Sequence, residues 1–359
     1  MKKKVIRHMV LVGIIILLMP FSSLGKSETQ KHIEGLNSFI LTGSIIDENS
    51  NLVLVGYSGR GFEKTPTIVT CDELGNIQWT YEIDSDKGNL YYDIVPVDLG
   101  VFAALRYEQG DSFSALDFFC DGTLLSSIES LKNVYRIFRV TDGFIVFSKT
   151  DFFHCAFQMI DMNGDIIWEE MIDQPIMIRD LQEIEGAYLA VGYYESDYES
   201  ENIGIIIELD SAGHTPWCYK SKTASDYFRV FSTSDGFLVI GNTAGPETSN
   251  ASSVFFKHSD ENWSPVETTL YAGRLQCALQ DDDTYFVLTY SKGSVTLYQC
   301  NVDGKYITSW RIQVDGIENP QTFNLLSDEG EVLLLVNGYT NPYEYINCST
   351  RIVKIIKDS

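Results

Sequence analysis

The chain has 359 residues, 44% of them hydrophobic and 13% aromatic, enough for a large packed core and unlike a disordered composition. Its formal net charge of −24 repels nucleic acid and anionic membrane surfaces, which removes both from the expected partners, and the same charge keeps an exported protein soluble. Seven cysteines, scattered and without a C-x-x-C pair, are too few for a disulfide-stapled scaffold and are expected to be small core residues, one thiol at least staying unpaired if the others bridge.

The chain opens on a basic cluster, Lys2, Lys3, Lys4 and Arg7, followed by an apolar run from Met9 to Phe21 and small residues at Ser23 and Gly25. This is the layout of a secretory signal peptide over residues 1–25, with cleavage after Gly25. The run of 13 residues is shorter than the ~20 that an untilted helix needs to cross a bilayer, and an uncleaved anchor is the alternative. No Cys follows the run to carry a lipid, and no later segment is long and apolar enough to span. The remainder is therefore expected outside the cytoplasm, secreted or at the cell surface, as a monomer that touches a membrane only through an uncleaved anchor.

Residues 26–36 form an N-terminal segment, and from residue 37 to 359 one unit is written about seven times. Turn glycines recur at Gly75, Gly122, Gly164, Gly213 and Gly304, with Asn262 of "SDENW" filling the gap, at spacings of 42 to 49 residues. An apolar strand runs in phase with them, at "LVLVGY", "VFAALRY", "FIVFSK", "YLAVGY", "FLVIGN", "YFVLTY" and "VLLLVNGY". Its reference positions Gly56, Arg106, Ser148, Gly192, Gly241, Thr289 and Gly338 are 42 to 50 residues apart. Each unit reads as a first strand such as "YRIFRV", a short turn, the apolar strand, a loop of variable length, a third strand, a D-x-x-G turn and a fourth strand carrying Trp. Four short strands in about 48 residues make one blade of an antiparallel β-propeller, so the fold expected is all-β with seven blades. In the turn, Asp72, Asp161 and Asp210 are placed to accept bonds from following amides, while Gly takes the positive φ that closes a hairpin with a bulge. Trp79, Trp168 and Trp217 lie four residues after Gly, Trp310 slips by two, and each is expected to dock one blade on the next. The last unit ends on its third strand at "TRIVKIIKDS", so N-terminal residues, around Lys31 to Asn37, are expected to complete the seventh blade.

The pattern I-x-x-x-D-x-x-G-x-x-x-W, as in "FQMIDMNGDIIW", resembles the repeats of quinoprotein-like (PQQ-like) β-propellers, and it runs through nearly all of the chain after the leader. The resemblance implies the propeller fold with a docking Trp after each turn. Its members include quinone-dependent dehydrogenases and non-catalytic scaffolds, such as the propeller lipoprotein of the outer-membrane assembly machinery. This chain departs from the dehydrogenases in having seven units where they generally have eight, no adjacent cysteine pair, and no residues that match their calcium ligands. It departs from the lipoproteins in lacking the lipidated Cys.

Chemistry-bearing motifs are sparse. "GYSGRG" lacks the spacing of a nucleophile elbow, and the four histidines beyond the leader, His32, His154, His214 and His258, form no metal-ligand pattern. "DSDKGN" and "QDDDTY" read as turns, and no metal or cofactor is expected. One constellation stands out. Seven residues before the inner-hairpin positions Gly100, Gly143, Gly186, Gly236 and Asp283 stand Asp93, Arg136, Arg179, Arg229 and Gln276, so three consecutive blades carry Arg on the strand that borders the central channel. Planar guanidiniums converging on one channel mouth suit a carboxylate, sulfate or phosphate. Alternatively each Arg pairs with a neighbouring acid, such as Asp180 or Asp226, and only lines the channel. The variable loops between second and third strands belong to the same face, and several start with an aromatic: Tyr57, Tyr107, Tyr193, Tyr290 and Tyr339. These tyrosines serve either recognition or blade-edge packing.

The function expected is that of an exported, non-catalytic propeller that binds a protein or glycan at the cell surface through its loop face and channel mouth. An extracytoplasmic enzyme acting in the channel, dehydrogenase-like or glycan-cleaving, is the alternative, and a purely structural surface protein is a third possibility.

Overall fold

In a computed structural model of the chain, the described residues are 29–34, 36, 38–60, 63–83, 90–98, 100–107, 113–151, 153–184, 186–195, 202–221, 224–243, 250–259, 262–328, 331–340 and 348–355. The segment read as a signal peptide lies outside them, as do most of the variable loops between second and third strands. The described residues form seven four-stranded antiparallel sheets and no helix, a seven-bladed β-propeller. The innermost strands of blades 1 to 7 are Ile40–Ile46, Leu90–Asp98, Val134–Val140, Ile176–Ile184, Ala224–Thr233, Arg274–Asp281 and Asn319–Asp328. Second strands such as Gly143–Lys149 are buried along almost their whole length, because each sheet is sandwiched between two others. Hydrophobic clusters accordingly bridge successive blades, as where Phe147 and Phe157 of blade 3 meet Tyr188 and Ile207 of blade 4.

The D-x-x-G turn forms as its chemistry requires. The Asp161 carboxylate accepts N–H bonds from Asn163 (2.8 Å) and Asp165 (2.9 Å), and these amides hold its carboxyl below the usual range. Asp72 and Asp210 make the same pair of bonds, and Asn301 makes them in blade 6. The pairing shifts by one residue beside the turn, between Met159 and Ile160, which is the expected bulge. In blades 2 and 4 the preceding blade's Trp covers the glycine that ends the turn, whereas Ile128 covers Gly164 and Leu238 and Ser253 cover Gly304. A Cβ at Gly122 would lie 3.0 Å from Trp79, and one at Gly213, where φ is +88°, would clash with the Trp168 indole. Trp79 also stacks on Phe102 of blade 2, with centroids 6.3 Å apart. Gly213→Ala therefore combines left-handed strain with overpacking, and is expected to cost about 3 kcal/mol in urea unfolding. A loss within ~0.5 kcal/mol of zero, the range of an uninvolved surface position, would contradict the docking role.

Blade 7 takes its fourth strand from the other end of the chain. Thr29–His32 lies antiparallel to Cys348–Ile355, with Lys31 opposite Ile352 and His32 opposite Arg351. The strand ends sooner than the Lys31 to Asn37 stretch expected: Ile33 still donates its N–H to the Thr350 carbonyl at 3.3 Å, and the side chains of Ile33 and Leu36 enter the core between blades 7 and 1, beside Phe39, Leu335 and Ile352. All seven cysteine thiols are free.

Candidate ligand site at the channel mouth

Every innermost strand carries a β-bulge at the same place. The residue just before it is Leu41, Tyr91, Val134, Ile178, Tyr227, Leu275 or Pro320, and these pair with Gly56, Arg106, Ser148, Gly192, Gly241, Thr289 and Gly338, the reference positions of the apolar strand. A bulge sets two residues of the inner strand against one of its neighbour and re-aims their side chains. From blade 1 to blade 7 the bulged residue is Thr42, Tyr92, Tyr135, Arg179, Phe228, Gln276 and Gln321. The residue after it is Gly43, Asp93, Arg136, Asp180, Arg229, Cys277 and Thr322.

This register corrects the equivalence of the five channel residues. Asp93, Arg136 and Arg229 occupy corresponding positions, but Arg179 and Gln276 stand one residue earlier, on the bulge. The hairpin positions used for counting are themselves out of step. Gly143 and Gly236 are the first paired residues of their second strands, whereas Gly186 and Asp283 precede the first paired residues Ala187 and Thr284. In blade 2 a second bulge between Pro96 and Asp98 cancels the offset. The apolar-strand positions mark the true register and are visible in the sequence, and counting from them finds Tyr92 and Phe228, which counting from the hairpins misses.

All five residues nevertheless line one cavity of about 370 Å³ in the central channel, bordered by inner strands of all seven blades. Three of its four arginines are paired across blades, and the fourth, Arg139, donates to the Val140 and Gly143 carbonyls of its own blade. Arg136 is 3.5 Å from Asp93, whose carboxylate also accepts the Ile137 N–H at 3.5 Å. Arg229 is 3.1 Å from Asp180, which accepts the Val230 N–H at 3.0 Å. Burial pushes the Asp180 carboxyl up while Arg229 pulls it down, and the Asp180 charge in turn holds the Arg229 guanidinium further up. Arg179 is 4.0 Å from Asp226, and its guanidinium lies against the rings of Tyr193 and Phe228, at 5.2 and 5.1 Å. Arg136 likewise lies 5.4 Å from the Tyr92 ring. Gln276 donates to the Arg274 carbonyl at 3.2 Å. The mouth thus joins three arginines to three aromatic faces, with a carboxylate opposite each arginine.

The five loop-face tyrosines stand at the same end of the propeller, opposite the first residues of the inner strands, where Tyr57 faces Ile40 and Tyr339 faces Asn319. All five are half-buried. Tyr193 belongs to the mouth through Arg179, Tyr290 packs on Phe323 of blade 7, and Tyr57 lies under the Lys64 ammonium at 4.5 Å. Tyr107 faces Leu90, away from these contacts. Tyr193 thus touches the channel mouth, while Tyr290 packs against the next blade. Among the described residues no group of three or more His, Cys, Asp or Glu side chains is arranged to hold a metal ion.

No family model and no curated protein matches the chain. Solved structures match its fold. The β-propeller domain of the Trilobed protease from Pyrococcus furiosus is 14% identical, with a TM-score of 0.53 over 88% of this chain and 94% of that one. Hsv2 from Kluyvelomyces marxianus is 11% identical, with a TM-score of 0.52 over 90% of this chain and 100% of that one. Prolyl oligopeptidase B from Galerina marginata is 11% identical, with a TM-score of 0.54, and the match takes in 88% of this chain but 49% of that one. At such identities the likeness shows a propeller and nothing about ligands.

Proposed function

We propose that the protein is an exported, non-catalytic propeller of the quinoprotein-like kind that binds an acidic glycan at the cell surface through its channel mouth. One observation carries the reading. In a chain of net charge −24, Arg136, Arg179 and Arg229 gather around a single cavity beside the aromatic faces of Tyr92, Tyr193 and Phe228. Guanidinium forks recognise carboxylate or sulfate, aromatic faces accept the apolar side of a sugar ring, and a cavity of about 370 Å³ admits one or two sugar residues more readily than a folded protein surface. The basic leader supports export, and the docking of Trp79 and Trp168 on turn glycines supports the repeat type.

The catalytic alternative has the raised carboxyls of Asp180 and Asp226 on its side, yet Asp180, which lines the cavity, is held by Arg229 and the Val230 N–H, and Asp226 is 8% exposed and is not among the lining residues. The test is a glycan array probed with the domain after residue 25, alongside Arg136→Ala, Arg179→Ala and Arg229→Ala. Acidic glycans are expected to bind and neutral ones to fail, with each variant weakened about 30-fold, the loss of one charge-assisted contact. Binding that survives in all three variants rejects the channel mouth, and binding confined to acidic proteins moves the partner to the other class.

A further inference from the structure

Arg179 is held differently from the arginines on either side of it. Arg136 and Arg229 face carboxylates that also accept a backbone N–H, so those acids are needed where they are. The counter-charge of Arg179 is not anchored in this way. Its Nε and the Asp226 Oδ1 stand 4.0 Å apart, too far for a hydrogen bond, and both atoms are buried with no partner among the described residues. Asp226 as a whole is 8% exposed. A buried carboxylate oxygen without a donor is costly, and such an atom in a native fold calls for a reason.

The groups facing Asp226 come from three blades. Arg179 is on the inner strand of blade 4, and Arg274 is exposed at the start of the inner strand of blade 6. Tyr193 closes the second strand of blade 4, with Glu195 and Tyr92 near it. The residue paired with Asp226 in its own blade, Asn242, is neutral and gives its carbonyl oxygen to the Leu275 N–H at 2.9 Å. Arg179, which lines the cavity, therefore stands against one poorly held carboxylate behind it.

Building on the acidic-ligand reading, we infer that the mouth is a proton-coupled oxyanion site, in which a carboxylate or sulfate of the ligand takes the Arg179 guanidinium and Asp226 takes up a proton from solvent. Burial pushes the Asp226 carboxyl up to about 7 against the pull of Arg179 and Arg274, so little separates its two forms near neutrality. An added anion beside Arg179 weakens that pull and raises the carboxyl further. The bound state then holds more protons than the free state, and affinity falls as pH rises, by up to about tenfold per pH unit.

The experiment is calorimetric titration of the domain with sodium sulfate and, separately, sodium glucuronate, at pH 6 and pH 8 and constant ionic strength. Neither anion titrates in that range, as phosphate would, and the two arms tell a sulfated from a carboxylated source. Binding is expected to be about tenfold weaker at pH 8 than at pH 6, with the heats in two buffers reporting proton uptake near one per ligand at pH 8 and only about a tenth of that at pH 6. Asp226→Asn is expected to bind equally at both pH values. The variant should fold. A carboxyl raised in the folded state contributes stability that is present below the ordinary carboxyl range and lost as pH rises to about 7, so its amide should melt at or above wild type at pH 8. Equal wild-type affinity at the two pH values, with no proton uptake but with weakening by Arg136→Ala, overturns the coupling and leaves the mouth as a site. Persistence of the pH dependence in Asp226→Asn overturns the assignment to Asp226. Absence of binding by both anions at both pH values overturns the site and the coupling together.

Discussion

Removal of residues 27–37 is expected to lower the melting temperature by about 10 °C. The deletion takes away the Thr29–His32 strand and leaves the edge of Cys348–Ile355 unpaired. It also withdraws Ile33, which is 0% exposed, and Leu36, which together seal the cluster between blades 7 and 1. Burial of two such side chains is worth about 2 kcal/mol each, to which the lost ladder bonds add. The penalty is larger than the contacts alone suggest, because a ring opened between two blades also exposes Leu333 and Leu335 of the neighbouring sheet. Thermal unfolding followed by far-ultraviolet circular dichroism measures the effect. An unchanged melting temperature would show that the ring does not depend on this strand.

Asp117→Ala is expected to destabilise blade 2 by about 3–5 kcal/mol, the cost of breaking a buried ion pair by removing one partner. Asp117 is 1% exposed and accepts from Arg106 Nε at 2.8 Å, Tyr91 Oη at 2.9 Å and Ser127 Oγ at 2.7 Å. The alanine takes away the buried carboxylate to which the Arg106 guanidinium and the Tyr91 phenol both donate. Burial, and then Asp117 itself, already hold the Tyr91 hydroxyl far above its ordinary range, so it stays a donor at any working pH. The double variant Arg106→Leu/Asp117→Leu removes both charges, and should recover most of the loss, which separates the stranded charge from the lost packing. A single variant within ~1 kcal/mol of wild type would show that the network contributes little. A Tyr91→Phe variant is the milder control, removing one bond at about 1 kcal/mol.

The blade count was readable because two markers, the turn glycines and the apolar strands, repeat for separate physical reasons, hairpin closure and burial between sheets. Their period stands out even where Asn301 replaces the turn Asp, since its amide oxygen accepts the same two N–H groups. The channel mouth was readable only in part. Arg136 and Arg229 were placed together correctly, whereas Arg179 was assigned the wrong register. A bulge adds a residue without any consensus side chain, as the sequence Thr42, Tyr92, Tyr135, Arg179, Phe228, Gln276, Gln321 makes plain. The pairing of channel arginines with Asp180 and Asp226 was legible as an alternative, whereas the burial of Asp226 was not, because it depends on blades that lie far away along the chain. The closing strand, Thr29–His32, starts two residues before and ends five before the stretch expected, because beyond the Ile33 N–H the chain turns to bury Ile33 and Leu36.

The recurring bulge divides labour at the channel. One ring of positions, Asp93, Arg136, Asp180 and Arg229 among them, ties each blade to another and is constrained by that duty. The other ring, one residue earlier on each inner strand, holds Thr42, three aromatics, two glutamines and Arg179. Thr42 and Arg179 still reach the next blade, through the Tyr91 carbonyl and Asp226, so side chains at the remaining five sites can vary with the least disturbance of the mechanical frame.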